Sequence, residues 1–139
     1  MTPKRVELEL ILPKTISLNS LYSGKHWTYR KKVKDAYKKE IISALEGYDL
    51  YHAEYIHIAI AYNSRLDVDN NVLISKFVAD TLVDLGYIDD DSPRYYRKLS
   101  ILFDQEVTRN FCICKVIMFN PILKTPKTWK RSNKAPLVR

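Results

Sequence analysis

The sequence predicts an α+β domain of two layers: a mixed sheet packed by two main helices, in the order β-α-β-α-β-β. Two observations carry this. Short segments alternate apolar with polar residues or concentrate β-branched ones, and two longer segments between them repeat apolar residues at steps of three and four. The 139 residues suit one domain that buries roughly two-thirds of its unfolded surface without disulfides.

Residues 5–12 (RVELELIL) place Val6, Leu8, Leu10 and Leu12 on one face, which is a half-buried strand closed by Pro13. A polar stretch through Gly24 reads as a loop. From Trp27 to Glu46 a helix is expected, because Val33, Tyr37, Ile41 and Ala44 form one stripe. Its other side carries Arg30, Lys34 and Lys38, and Gly47 ends it. Residues 54–62 (EYIHIAIAY) form a second strand with Ile56, Ile58, Ile60 and Tyr62 on a shared face. A second helix is expected over 70–85, burying Ile74, Phe77, Val78, Leu82 and Leu85, with Gly86 as its left-handed terminator. Residues 95–103 and 110–119 read as strands joined by QEVTRN in a hairpin. Cys112 and Cys114 then share a face as small hydrophobes.

Charge divides the chain. The net charge is +7, and all 16 acidic residues precede position 121. Residues 121–139 hold six basic residues, three prolines and no acid, so they read as a basic, flexible tail after a domain at 1–120. A second basic cluster runs from Lys25 to Lys39. Such limbs favour an anionic partner. No apolar run reaches the ~18 residues of a membrane helix, and the start lacks the apolar block of a signal peptide. A cytoplasmic protein with no membrane partner is therefore expected. Three scattered glycines, Gly24, Gly47 and Gly86, exclude a P-loop or dinucleotide fingerprint, so no nucleotide cofactor is expected. Two cysteines separated by one residue make neither a disulfide nor a zinc knuckle.

Chemistry is expected at the aspartates. Asp67 and Asp69, at the junction of second strand and second helix, project to one side of an extended segment. Two carboxylates so close repel unless a cation intervenes, and oxygen ligands suit Mg²⁺ or Mn²⁺. Asp69 is equally well read as a helix N-cap. An EF-hand is excluded, since Val72 and Val78 stand where its Gly and Glu belong. Asp89, Asp90 and Asp91 follow the same helix; alone they would be a solvated turn. Lys76 lies seven residues after Asp69 and four before Asp80, on one helical face. It can pair with Asp80, face the carboxylates, or do both.

Together these residues resemble the RusA-type Holliday-junction resolvases, small endonucleases of bacteria and their phages. The matching stretches are LDVDN at 66–70, KFVADTLVDLGYIDDDSPRYY at 76–96 and, more loosely, SLNSLYSGKHWTYR at 17–30. The family pattern is Asp-x-Asp-Asn, a helical Lys, Asp-Ala-Leu, then a glycine and an Asp-Asp pair. The gap from Asn70 to Lys76 is three residues longer than in the best-known branch. The resemblance implies a homodimer, in a bacterial or phage-infected cell, that cuts four-way DNA junctions symmetrically with Mg²⁺, or Mn²⁺ as substitute. It implies Asp67, Asp69 and Asp91 as metal ligands, Asp90 in reserve, with Lys76 catalytic beside them. Metal-assisted phosphodiester hydrolysis suits those groups. Lys25, Arg30, Lys34 and Lys38, with Lys130 and Arg131 of the tail, are the candidate phosphate contacts, each equally readable as a solvated charge. Trp27, Trp129, Tyr95 and Tyr96 are candidates for stacking on opened bases or for packing. His26, His52 and His57 read as structural. Two other readings stand: a non-catalytic DNA-binding protein, and a nuclease for other branched DNA.

Overall fold

The computed structural model describes residues 4–13, 27–63 and 72–124, with the side chains of the first helix from Lys31 onward. The elements are β1 (Arg5–Pro13), α1 (Trp27–Leu45), β2 (Tyr51–His52), β3 (Tyr55–Tyr62), α2 (Val72–Asp84), β4 (Tyr96–Phe103), β5 (Phe111–Phe119) and β6 (Ile122–Leu123). Two helices pack on a four-stranded mixed sheet, and β2 pairs with β6 in a small second sheet, which makes an α+β fold.

The strand order is β1-β5-β3-β4. β5 runs antiparallel to both β1 and β3, whereas β3 and β4 are parallel. The alternation in the sequence sets which face is covered. Leu8, Leu10 and Leu12, Ile56, Ile58, Ile60 and Tyr62, and Cys112, Cys114, Val116 and Met118 are all buried, each opposite its neighbour in register. Ile58 alone contributes ~1.5–3 kcal/mol by leaving water. Tyr37, Ile41 and Leu45 of α1 and Ile74, Phe77, Val78 and Leu82 of α2 complete this core. Tyr37 joins the layers: its ring lies 5.7 Å from that of Phe77, and its hydroxyl donates to the Pro13 carbonyl at 2.9 Å. Burial pushes the Cys112 thiol up to about 11 and raises that of Cys114 further, as expected of cysteines that serve as apolar filler.

The expected hairpin between 95–103 and 110–119 does not form, because β3 lies between β4 and β5. The reason is twofold. β3 buries every second residue and needs a partner on both edges. The connection from Asp104 to Asn110 is long enough to step across its end, where Asp104 N donates to Tyr62 O at 2.8 Å and Asn63 Nδ2 to Val107 O at 2.9 Å. β2 and β6 have no periodicity and are absent from the sequence reading. Ile122–Leu123, inside the segment read as tail, pairs with Tyr51–His52, and Lys124 N donates to Leu50 O at 2.9 Å. Asn120, at φ 50°, makes the turn between β5 and β6.

Among the described residues, no helix covers the opposite face of the sheet. One row across it runs Ile11, Ile113, Ala61 and Leu102, with Ile11 and Leu102 each 61% exposed. No helix among the described residues is long and apolar enough to cross a membrane.

Gly86 ends α2 at φ 85° and donates its N–H to Val83 O at 3.1 Å. An added Cβ there would also meet Lys124 Nζ at 2.7 Å, although that flexible end can move. Gly86→Ala is expected to cost about 1–2 kcal/mol, a melting temperature lower by roughly 3–10 °C. An unchanged melt by circular dichroism would show that the left-handed turn is not required.

Candidate functional site

A 13-residue helix such as α2 carries the chain about 20 Å away from its first turn. The Gly86 turn reverses that course, and the loop from Leu85 to Tyr95 brings the chain back toward the start of α2. Tyr95 N and Tyr96 N both donate to Ser92 O at 2.9 Å, and Ile56 N to Tyr95 O at 2.7 Å, which seats the end of the loop on β3. The result is a cleft of about 360 Å³ between α2 and the outer edge of β4. Val72, Ser75, Lys76 and Ala79 form one wall; Asp91, Tyr96, Arg97, Lys98 and Leu99 form the other.

The β-bulge at Ile56/His57 shapes that second wall. Ile56 pairs with Tyr96 and His57 with Lys98, so Arg97 is the extra residue. Strict alternation would have sent consecutive side chains to opposite faces; the bulge lets Arg97 and Lys98 both border the cleft. Among the described residues the cleft therefore holds three cations and a single carboxylate. Ser75 donates to the Val72 carbonyl at 2.6 Å, and burial raises the Tyr96 phenol, opposed by the Ser75 hydroxyl beside it.

The structure brings Asp91 and Lys76 to one cleft, although fifteen positions separate them. Lys76 also stands 3.9 Å from Asp80, which is the first of the two roles open to it in the sequence. Asp80 is itself shared with Lys34 at 3.6 Å, and Lys38 meets Asp84 at 2.6 Å. These two lysines, candidates for phosphate contacts, thus tie α1 to α2. The three loop aspartates separate by environment. Asp89 pairs with His52 Nε2 at 2.8 Å. Asp90 is exposed and is not among the residues lining the cleft, and Asp91 is exposed within it. Asp67, Asp69, Lys25, Lys130 and Arg131 lie outside the described residues, as does the side chain of Arg30. Among the described residues no three His, Cys, Asp or Glu converge to hold a metal ion.

Arg97 and Lys98 were missed as candidates because nothing in the local sequence announces a bulge. Arg94 escaped for a similar reason: a loop arginine has no periodicity to place it.

No protein-family model matches the chain, and no curated protein does. Solved structures resemble its fold. A helical model of the TubZ-Bt four-stranded filament aligns with 92% of this chain and 26% of that one, at TM-score 0.51 and 14% identity. The GDP-form protofilaments of Bacillus thuringiensis serovar israelensis TubZ align with 92% of this chain and 27% of that one, at TM-score 0.48 and 12% identity. The chain spans about a quarter of the length of these structures. The first likeness bears on fold alone, and the second carries no argument.

Proposed function

We propose that the protein is a Mg²⁺-dependent endonuclease for four-way and related branched DNA, with the Lys76–Asp91 cleft as its active site. The observation that carries this reading is the return of Asp91 to the first turns of α2, beside Lys76. A protein that only bound DNA would gain nothing from holding a carboxylate in a cleft of lysines and arginine, where it repels phosphate.

The donor chemistry suits the metal. Asp91 is exposed in the cleft and has neither ion pair nor hydrogen bond among the described residues, whereas Asp89 is committed to His52. Asp91, with Asp67 and Asp69, would supply hard oxygen ligands for Mg²⁺. When bound, the ion would supply an activated water and neutralise charge at the phosphoryl centre. Lys76 would hold a non-bridging phosphate oxygen and stabilise the charge that grows on it. Arg97 and Lys98 would orient the strand from the other wall. Asp80, between Lys34 and Lys76, keeps the Lys76 ammonium near the wall of α2 without claiming it, since 3.9 Å is a loose contact.

A homodimer belongs to the same reading, because two opposed cuts at a junction need two sites. The row from Ile11 to Leu102, exposed at both ends among the described residues, supports it, as an apolar strip that a two-fold copy would cover. Its two ends are the most exposed, and it lies along the sheet away from the Tyr55 end.

Cleavage of a labelled immobile four-way junction tests the reading. Paired symmetric nicks are expected with Mg²⁺ and none with EDTA. Asp91→Asn and Lys76→Ala should each lower the rate on the order of 100-fold, while Asp90→Asn should stay within about twofold, as an exposed group outside the cleft. Binding without cleavage in Mg²⁺ or Mn²⁺ would leave a DNA-binding protein instead. For the dimer, sedimentation should give two subunits at micromolar concentration and a monomer for Ile11→Asp. A monomeric parent protein would remove that part of the reading.

A further inference from the structure

Arg97 borders a second cleft as well, of about 300 Å³, on the side of the loop away from Lys76. Its polar groups come from His52, Glu54, Asp89, Arg94, Arg97 and Asn120. Both acids have partners: Asp89 pairs with His52 at 2.8 Å, and Glu54 accepts from Asn120 Nδ2 at 2.6 Å. The two guanidinium groups have no carboxylate within ion-pair distance among the described residues. They are nonetheless held in place. Arg97 lies 3.8 Å over the ring of Tyr55, which stacks on Phe119 at 4.7 Å, and its Nε donates to Arg94 O at 3.0 Å. Arg94 sits 5.6 Å over Tyr95.

Stacking fixes a guanidinium plane while leaving its terminal N–H groups free, and that fork matches phosphate. The cleft sets Arg94 and Arg97 against Asp89 and Glu54, and both acids are already hydrogen-bonded to other groups. His57, beside Phe119, has its pKa lowered first by burial and then by Lys98, Arg5 and Arg97. The contribution of the three cations is secondary to burial, but it places Arg97 within electrostatic reach of His57. Along that row stands Glu7, which Lys115 meets at 3.7 Å and Arg5 at 3.5 Å.

We infer that this cleft is a second phosphate subsite, formed by Arg94 and Arg97, that takes a backbone phosphate of the same DNA strand whose neighbouring phosphodiester occupies the Lys76–Asp91 cleft. The inference rests on the nucleic-acid reading above and deepens it, with Arg97 as the shared wall between the two clefts. Arg94 and Arg97 are strand-positioning residues; neither touches the reacting atoms.

Equilibrium binding of a fluorescent four-way junction to the full chain in EDTA, titrated with salt, tests this apart from catalysis. Arg94→Ala and Arg97→Ala, both exposed positions, should retain the parent melt and weaken binding roughly 3- to 10-fold. Each should reduce the slope of log affinity against log salt by about 0.7–0.9, one phosphate contact. Arg97→Lys should recover part of the loss. In the parent protein the His57 pKa, followed by NMR, should rise when the junction binds. Parent slopes in both arginine variants, with an unmoved His57, would overturn the subsite while leaving the nuclease reading intact. Altered slopes in a protein that never cleaves would sustain the subsite and sink the nuclease.

Discussion

The architecture depends on β3 being paired on both edges. Its apolar residues are buried at every second position from Ile56 to Tyr62, and its neighbours run in opposite senses, β5 antiparallel and β4 parallel. A parallel neighbour requires a crossover, and here α2 lies within it. That requirement is what carries the chain out along α2, turns it at Gly86 and returns it at Asp91. Remove the parallel pairing and Asp91 would have no reason to stand beside Lys76.

Energetics and site geometry are therefore coupled through one helix. α2 buries Leu73, Ile74, Phe77, Val78 and Leu82, so it cannot rotate without opening the core. Val72, Lys76, Asp80, Val83 and Asp84 make up what remains of its surface. Ion pairs to Lys34 and Lys38 then fasten α1 alongside, each worth at most about 1 kcal/mol at such exposure. The apolar contacts fix where α2 lies, and the charged groups decide what faces its neighbours. On the other wall the bulge at Arg97 gives two consecutive basic residues access to the same space.

Much of the fold was legible because it rests on periodicity. The alternation in 5–12, 54–62 and 110–119 placed those strands and their buried faces within a residue or two, and the stripe through Tyr37 and Ile41 placed α1. What escaped was pairing. Alternation states which face is buried but not which strand lies alongside, so adjacency in sequence suggested a hairpin where β3 intervenes. The short strands β2 and β6 are below the length at which any period shows. Lys76 and Asp91 were singled out by their residue types and by family resemblance, and both line one cleft. Arg94 and Arg97 were not found, since their placement follows from a loop return and a bulge.

Under the proposed function, the cleft between α2 and β4 holds a divalent ion through Asp91. Paramagnetic broadening by substoichiometric Mn²⁺ in a ¹H–¹⁵N spectrum reads that directly, without DNA or turnover. Broadening centred on Asp91 and the first turn of α2 is expected, relieved by excess Mg²⁺ and lost in Asp91→Asn. Broadening centred on Asp89 and His52, or none above the level of bulk solvent, would contradict it.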